Sequence, residues 1–264
     1  MRGLGSWIWD KGGQKYLDFY GGHAVISIGH SHPHYIDRIQ HQLKQLGFYS
    51  NSIQISIQEE LSHKLGKMSG YIDHDLFLCN SGAEAIENAL KVASFHTKRS
   101  KVIVFENAFH GRTSAAVAVP DSPAISAPLN SQHQVTFLPF NDIDALEKEL
   151  AKETYCAVIF ESIQGVGGLD QPNENFVIAM DSLCKKYGTS LIADEGQSGF
   201  GRSGTFFAYQ KYPITPPLIT LRKRTGKGLP RGGILIHPSI KAKYWMLGTT
   251  FGGNHLACTA SLAV

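Results

Sequence analysis

Ser190-Leu191-Ile192-Ala193-Asp194-Glu195-Gly196-Gln197-Ser198-Gly199-Phe200-Gly201-Arg202-Ser203-Gly204 is an apolar run that ends in two carboxylates and passes at once into a glycine-punctuated loop. In an α/β sheet, ligands gather outside the carboxyl ends of such strands. Asp194 is then the first polar group out of the sheet, where a lone carboxylate is costly unless it meets a positive charge or hydrogen-bond donors. Two readings stay open at this point. Asp194 is a strand-end carboxylate capping the next turn, or it is an acceptor for the protonated ring nitrogen of a cofactor. Lys223, in Leu218-Ile219-Thr220-Leu221-Arg222-Lys223, also follows an apolar run and is placed to hold such a cofactor covalently.

Working outward, the period of the pattern switches repeatedly between two and 3.6. Strands are expected at Leu76–Asn80, Val102–Phe105, Val135–Leu138, Ala157–Phe160 and Leu191–Ala193. Helices are expected at His34–Gln45, Ile57–Met68, Ala83–Phe95, Ile143–Ala151 and Phe176–Tyr187, with Asn141 or Asp142 as the N-cap of the fourth. Trp7 to Tyr20 alternates around Lys11-Gly12-Gly13 and reads as a β-hairpin. Strands alternating with helices imply an α/β fold, a mostly parallel sheet flanked by helices. No internal repeat, low-complexity stretch or interdomain linker interrupts it.

At 264 residues the chain is long enough for a large core. It lacks any apolar run of roughly 18 residues, the length that would cross a membrane, and its first residues lack the apolar segment of a secretory leader. Cys79, Cys156, Cys184 and Cys258 are scattered among apolar residues without metal-ligand spacing, as expected of free thiols in a cytoplasmic protein that holds no metal. A net charge of +3 gives little reason for a nucleic-acid partner. Arg222, Lys223, Arg224, Lys227 and Arg231 do form a basic cluster, but no aromatic residue is interleaved with it.

Other candidate sites also lie after strands or before helices. Ser81-Gly82-Ala83 joins a strand to a helix, either as a capping turn or as a cradle for a phosphate at the helix N-terminus. Phe109-His110-Gly111-Arg112 is either a loop with a packed Phe and a solvated Arg, or a ring-stacking aromatic with a carboxylate-binding guanidinium. Glu161 to Gly168 turns tightly after a strand, and Thr249-Thr250-Phe251-Gly252-Gly253-Asn254 offers hydroxyls and amides ahead of a helix. In a parallel sheet these ends face one crevice. The combination of a strand-end aspartate with a strand-end lysine suggests pyridoxal-phosphate chemistry.

With those motifs in that order, the chain resembles the class-III aminotransferases, pyridoxal-phosphate enzymes of fold type I that include acetylornithine, ornithine and 4-aminobutyrate aminotransferases. The resemblance runs from about Trp9 to Val264 and includes Tyr16 to Val25, Ser81 to Ala85, Phe109 to Thr113, Asp194 to Gln197 and Thr249 to Asn254. It is strongest toward the acetylornithine and succinylornithine branch of arginine biosynthesis. The resemblance implies that Ser81, Gly82 and Ala83 bind the cofactor phosphate and that Phe109 stacks on its ring. It implies further that Asp194 meets the ring nitrogen, Gln197 lies by the ring hydroxyl, and Lys223 is the covalent anchor and proton carrier. Arg112 would hold a substrate carboxylate and Thr249 would lie beside the substrate. Thr250 would reach the phosphate of the other subunit's cofactor in a homodimer. The implied reaction moves the terminal amine of an N-acylornithine to 2-oxoglutarate, giving glutamate.

The departures from the family pattern cluster at the cofactor. Gly196 stands where a branched apolar residue is expected against the ring, which leaves Phe109 stacking from one side only. Arg222, Arg224 and Arg231 stand among positions that are small or apolar in the family, Pro217 replaces an acidic residue, and so does Val166. Residues 1–50 are expected to belong with a small domain and 51–264 to form the large cofactor-binding domain. Asn254 to Val264 reads as a helix stopped in mid-course, so the expectation is an incomplete chain that lacks the rest of the small domain.

Overall fold

The computed structural model describes residues 1–119 and 123–264. Ten strands and eight α-helices are assigned among them. In chain order they are β1 (Arg2–Leu4), β2 (Trp7–Trp9), β3 (Lys15–Leu17), α1 (Gly21–Ala24), α2 (Pro33–Gln45), α3 (Ser56–Ser69), β4 (Asp75–Cys79) and α4 (Gly82–Thr97). β5 (Lys101–Phe105), α5 (Ser114–Ala118), β6 (Val135–Leu138), α6 (Ile143–Leu150), β7 (Tyr155–Phe160) and α7 (Glu174–Lys186) follow. The chain closes with β8 (Ser190–Asp194), β9 (Leu218–Arg222), β10 (Gly232–Ile236) and α8 (His255–Leu262).

Seven strands form one sheet in the order β4-β10-β9-β8-β7-β5-β6. The neighbours from β9 through β6 pair in parallel, and β10 runs antiparallel to both β9 and β4. The sheet is buried on both faces because alternate residues serve different layers. Ile103, Phe105, Val158 and Phe160 point into the layer with Leu146 and Leu150 of α6 and Phe176 and Met180 of α7. Val102, Val104, Ala157 and Ile159 point the other way, onto Ala85, Ile86, Ala89 and Ala93 of α4. The alanines at helical spacing let α4 lie close against the sheet, directly behind the strand ends.

The helix boundaries have local causes. Asp142 is the N-cap of α6, its Oδ1 accepting from the Ala145 N–H at 2.8 Å. Asn141 instead receives the Asn173 N–H, and Asn173 in turn caps α7 by accepting from Phe176. Ser81 caps α4 through the Glu84 N–H, while Glu84 reaches back to the Asn80 N–H; this reciprocal cap fixes the entry angle of the helix. The hairpin is present as β2 and β3 and gains a third strand, β1. Helix α2 and the loop after it are tied to the last helix, with the Leu256 N–H on the Gly47 carbonyl and the Thr259 hydroxyl on Gln42.

β10 passes hard against the start of α4. A Cβ on Gly232 would lie 2.2 Å from the Ser81 carbonyl oxygen. Gly232→Ala is therefore expected to push the strand off the cap and to cost about 1–3 kcal/mol, as overpacking does. Urea denaturation measures this, and an unchanged midpoint would show that the two elements separate freely.

The basic cluster is not a surface. Arg222, Lys227 and Arg231 are buried, and the Lys227 ammonium sits 4.6 Å from the centre of the Tyr35 ring. The four cysteines are buried free thiols. Among the described residues, no helix is long and apolar enough to cross a membrane.

Candidate active site

Asp194 ends β8 and is almost completely buried. Four donors surround its carboxylate. Oδ1 accepts the Gly196 N–H at 3.0 Å and the Thr220 hydroxyl at 2.9 Å. Oδ2 accepts His110 Nδ1 at 2.8 Å and the Arg222 guanidinium at 3.0 Å. Burial alone would push the Asp194 pKa up; Arg222 and the His110 bond outweigh it and hold the carboxyl well below the usual range. With Asp194 ionised, the bonded proton belongs on His110 Nδ1.

Lys223 follows Arg222 directly and opens a 3-10 turn, Lys223–Thr225. Its φ of 55° lies in the left-handed region, which costs a non-glycine residue about 1–2 kcal/mol. The ammonium is half-buried and has no hydrogen bond or ion pair among the described residues. Burial, and then the neighbouring Arg222, push its pKa below the ordinary lysine value, against the pull of Asp194 and Glu161. Arg222→Ala is expected to raise the Lys223 pKa, because it removes a repelling charge and admits water while the two carboxylates remain. The pH profile of Lys223 modification by an amine-specific reagent should shift upward. A profile shifted downward would refute this account of the site's electrostatics.

Glu161, at the end of β7, is the second buried carboxyl here, and burial pushes its pKa up. It accepts the Phe109 N–H at 3.1 Å and the Gln197 side chain at 3.5 Å, so it positions two of the predicted cofactor contacts. Glu195 faces away and accepts the Ala208 and Tyr209 N–H groups, organising the loop behind the site. At the open end of α4, the Glu84 N–H is taken by Ser81, while the Gly82 and Ala83 N–H groups lack intrahelical partners, as the first turn of any helix leaves them.

Asp194, Lys223, Phe109, Gln197 and the Ser81–Ala83 turn are thus brought to one end of the sheet. Thr249 joins them at the edge, its Oγ1 accepting from the Gly252 N–H at 3.0 Å and lying 3.5 Å from Asn80 Nδ2. Arg112 and Thr250 are exposed. His110, Glu161 and Thr220 stand in the site although the quoted stretches that contain them gave them no role of their own. His110 lies inside a quoted motif, and Glu161 has the same strand-end signature as Asp194.

The volume beside Gly196 is not open. A Cβ on Gly196 would fall 1.5 Å from Arg222 Nε, so the Arg222 side chain fills that place. Among the described residues, Arg224 and Arg231 donate to backbone carbonyls, those of Phe200 and Thr225, and burial pushes the Arg231 pKa down to about 10.

The class-III aminotransferase profile matches residues 1–264. The chain belongs to the class-III aminotransferase family. It is 42% identical to the acetylornithine aminotransferase of Archaeoglobus fulgidus over 99% of this chain and 70% of that protein. With the acetylornithine aminotransferase of Vibrio vulnificus the identity is 39% over the whole chain and 67% of the relative. Ornithine aminotransferase from Toxoplasma gondii superposes with a TM-score of 0.90 at 27% identity, covering 100% of this chain and 65% of that one. Taurine:2-oxoglutarate aminotransferase from Bifidobacterium kashiwanohense, solved with pyridoxal phosphate and glutamate, gives 0.90 at 26% identity, covering all of this chain and 66% of its own. The chain therefore spans about two thirds of the length of these class-III proteins.

Pyridoxal phosphate is the cofactor of the family, and the residues present fit most of it. The first-turn N–H groups of Gly82 and Ala83 suit a phosphate, Phe109 offers a ring, and Lys223 offers an amine that has no partner among the described residues. The ring-nitrogen end differs. Asp194 has about four lone-pair sites, and each already has a donor. Arg222 supplies the cation that a protonated ring nitrogen would bring.

Proposed function

We propose that this site serves pyridoxal-phosphate-dependent transamination of the terminal amine of an N-acylornithine, with 2-oxoglutarate as acceptor and glutamate as product. The observation that carries the reading is Lys223, an unpartnered amine with a lowered pKa at a strand end beside Asp194. Its setting is a chain 42% identical to an acetylornithine aminotransferase. Bound pyridoxal phosphate supplies an electron sink at the carbon that carries the amino group. The chain supplies the rest. Lys223 Nζ would hold the aldehyde end and would carry a proton as a base. Its lowered pKa increases the share of free amine at any given pH. The first turn of α4 holds the phosphate. Phe109, set by its N–H on Glu161, orients the ring, and Gln197 lies beside it. Arg112, exposed at the rim, takes a substrate carboxylate, and Thr249 borders the substrate.

The reading includes a homodimer in which Thr250 crosses to the partner's site, and residues 1–50 belonging with the small domain of the longer relatives. Exposed Phe19, Tyr244 and Trp245 give such an assembly apolar surface to bury. A second reading, a non-catalytic member of the family, is favoured by the Arg222 bond to Asp194. Assays with N-acetylornithine, N-succinylornithine, ornithine and 4-aminobutyrate, each with 2-oxoglutarate, test the proposal. Turnover of an acylornithine well above the others supports it, and turnover of none of them supports the second reading.

A further inference from the structure

We propose that Arg222 is a resident counter-ion for Asp194, a latch that occupies the ring-nitrogen end of the cofactor site, that Gly196 exists to admit, and that pyridoxal phosphate has to displace. This inference rests on reading the crevice as a cofactor site.

The path of the side chain carries the argument. Arg222 leaves the end of β9 and runs between two glycines. A Cβ on Gly82 would lie 2.0 Å from Arg222 Cδ, and one on Gly196 would lie 1.5 Å from Nε and 2.3 Å from both Cγ and Cδ. These atoms are the stem of the side chain, held at one end by the backbone and at the other by Asp194, so they cannot swing aside without breaking the ion pair. Any side chain at position 196 is thus incompatible with the latch, and the glycine and the arginine form a matched pair.

Charge points the same way. Asp194 carries one negative charge in a buried setting, with Arg222 only 6% exposed at its side chain. One cation balances it. A protonated ring nitrogen brought to the same carboxylate would add a second cation and would find no free lone pair. One of the two therefore leaves, and only Arg222 is on a flexible tether.

The latch is built to be released. Arg222 Nε is buried without a partner among the described residues, and the second nitrogen, NH1, reaches the His110 carbonyl only at 3.5 Å. A guanidinium with five donors that satisfies so few of them is held by its charge more than by its hydrogen bonds. Arg222 and Lys223 are consecutive, so the residue that blocks one end of the site is joined to the one that anchors the other.

The test is a pyridoxal-phosphate titration of the full chain, of Arg222→Ala and of Arg222→Ala with Gly196→Val. It is read by the visible absorbance of lysine-bound cofactor and by borohydride labelling of Lys223. Thermal melting without cofactor is run on these and on Gly196→Val alone. A latch that is closed most of the time lowers the apparent affinity by the fraction open, so Arg222→Ala is expected to tighten binding about tenfold or more. Without cofactor, Gly196→Val alone should lower the melting temperature sharply. Because Arg222→Ala itself leaves Asp194 without its counter-ion, the double variant should lose clearly less than the sum of the two single losses, a non-additive cycle. Equal or weaker affinity in both Arg222→Ala proteins overturns the latch, as does an additive cycle or a failure of all of them to label Lys223. Tighter binding with no acylornithine turnover would leave the latch standing and remove the proposed reaction.

Discussion

Lys223→Ala is expected to abolish stable cofactor retention and to lower transamination about a thousandfold, within the range a positioned proton carrier contributes. The change should leave the fold intact. Lys223 Nζ has no partner among the described residues, and its loss breaks no ion pair, so stability should shift by less than about 1 kcal/mol. That combination is diagnostic. A structural lysine would lose stability along with activity, whereas a reacting amine loses activity alone. The measurements are melting temperature, borohydride-stable labelling and single-turnover rate on the same preparation. Unchanged rate in the alanine variant would assign the anchor to another lysine.

Asp194→Ala should be the most destabilising single change at the site. It leaves the buried Arg222 guanidinium without its counter-ion and strips the Thr220 hydroxyl, His110 Nδ1 and the Gly196 N–H of their acceptor. Breaking a buried pair by removing one partner costs about 3–5 kcal/mol, because a charge stays behind unpaired. For a chain of this size each kcal/mol moves the melting temperature by roughly 2–4 °C, so a fall of about 10 °C is expected. Asp194→Asn with Arg222→Met removes the stranded charge and should recover part of the loss. The linkage has a definite sign. The Asp194 pKa is lower in the folded chain than unfolded. Its contribution is therefore present above the unfolded value and is lost as pH falls through the folded one. Stability that is flat across acid pH would mean that the carboxylate is not ionised in the fold.

The crevice was legible because each candidate turn follows a strand or precedes a helix, a consequence of parallel topology rather than of any one residue. Asp194, Lys223 and Ser81 were named as candidates from that placement, with a capping role for Asp194 and Ser81 left open beside it. What the carboxylate would bind was not. The approach of Arg222 to Asp194 spans 28 positions along the chain and depends on an empty volume at Gly196, and neither leaves a periodic trace. The antiparallel sense of β10 was hidden for a related reason: a short apolar run buried on both faces looks the same in either direction. α5 was missed because its start is held by a distant group, the Glu87 carboxylate, which accepts the Thr113 hydroxyl and the Ala115 and Ala116 N–H groups. The cap of α6, by contrast, is local, and Asp142 was among the residues named for it.

The position of β4 has a consequence for biosynthesis. Its strand partner in the sheet is β10, and the outermost pair in that register joins Asp75 to Ile236. The ribosome completes the first strand long before it makes the second. At about 5–20 residues per second, β4 waits roughly 8–30 s for its partner. During that interval Leu76, Phe77 and Leu78 present an unsatisfied apolar edge, the kind that recruits other nascent chains. Chaperone capture of the growing polypeptide, and loss of yield when translation is slowed between these two strands, follow from the order in which the sheet is written along the gene.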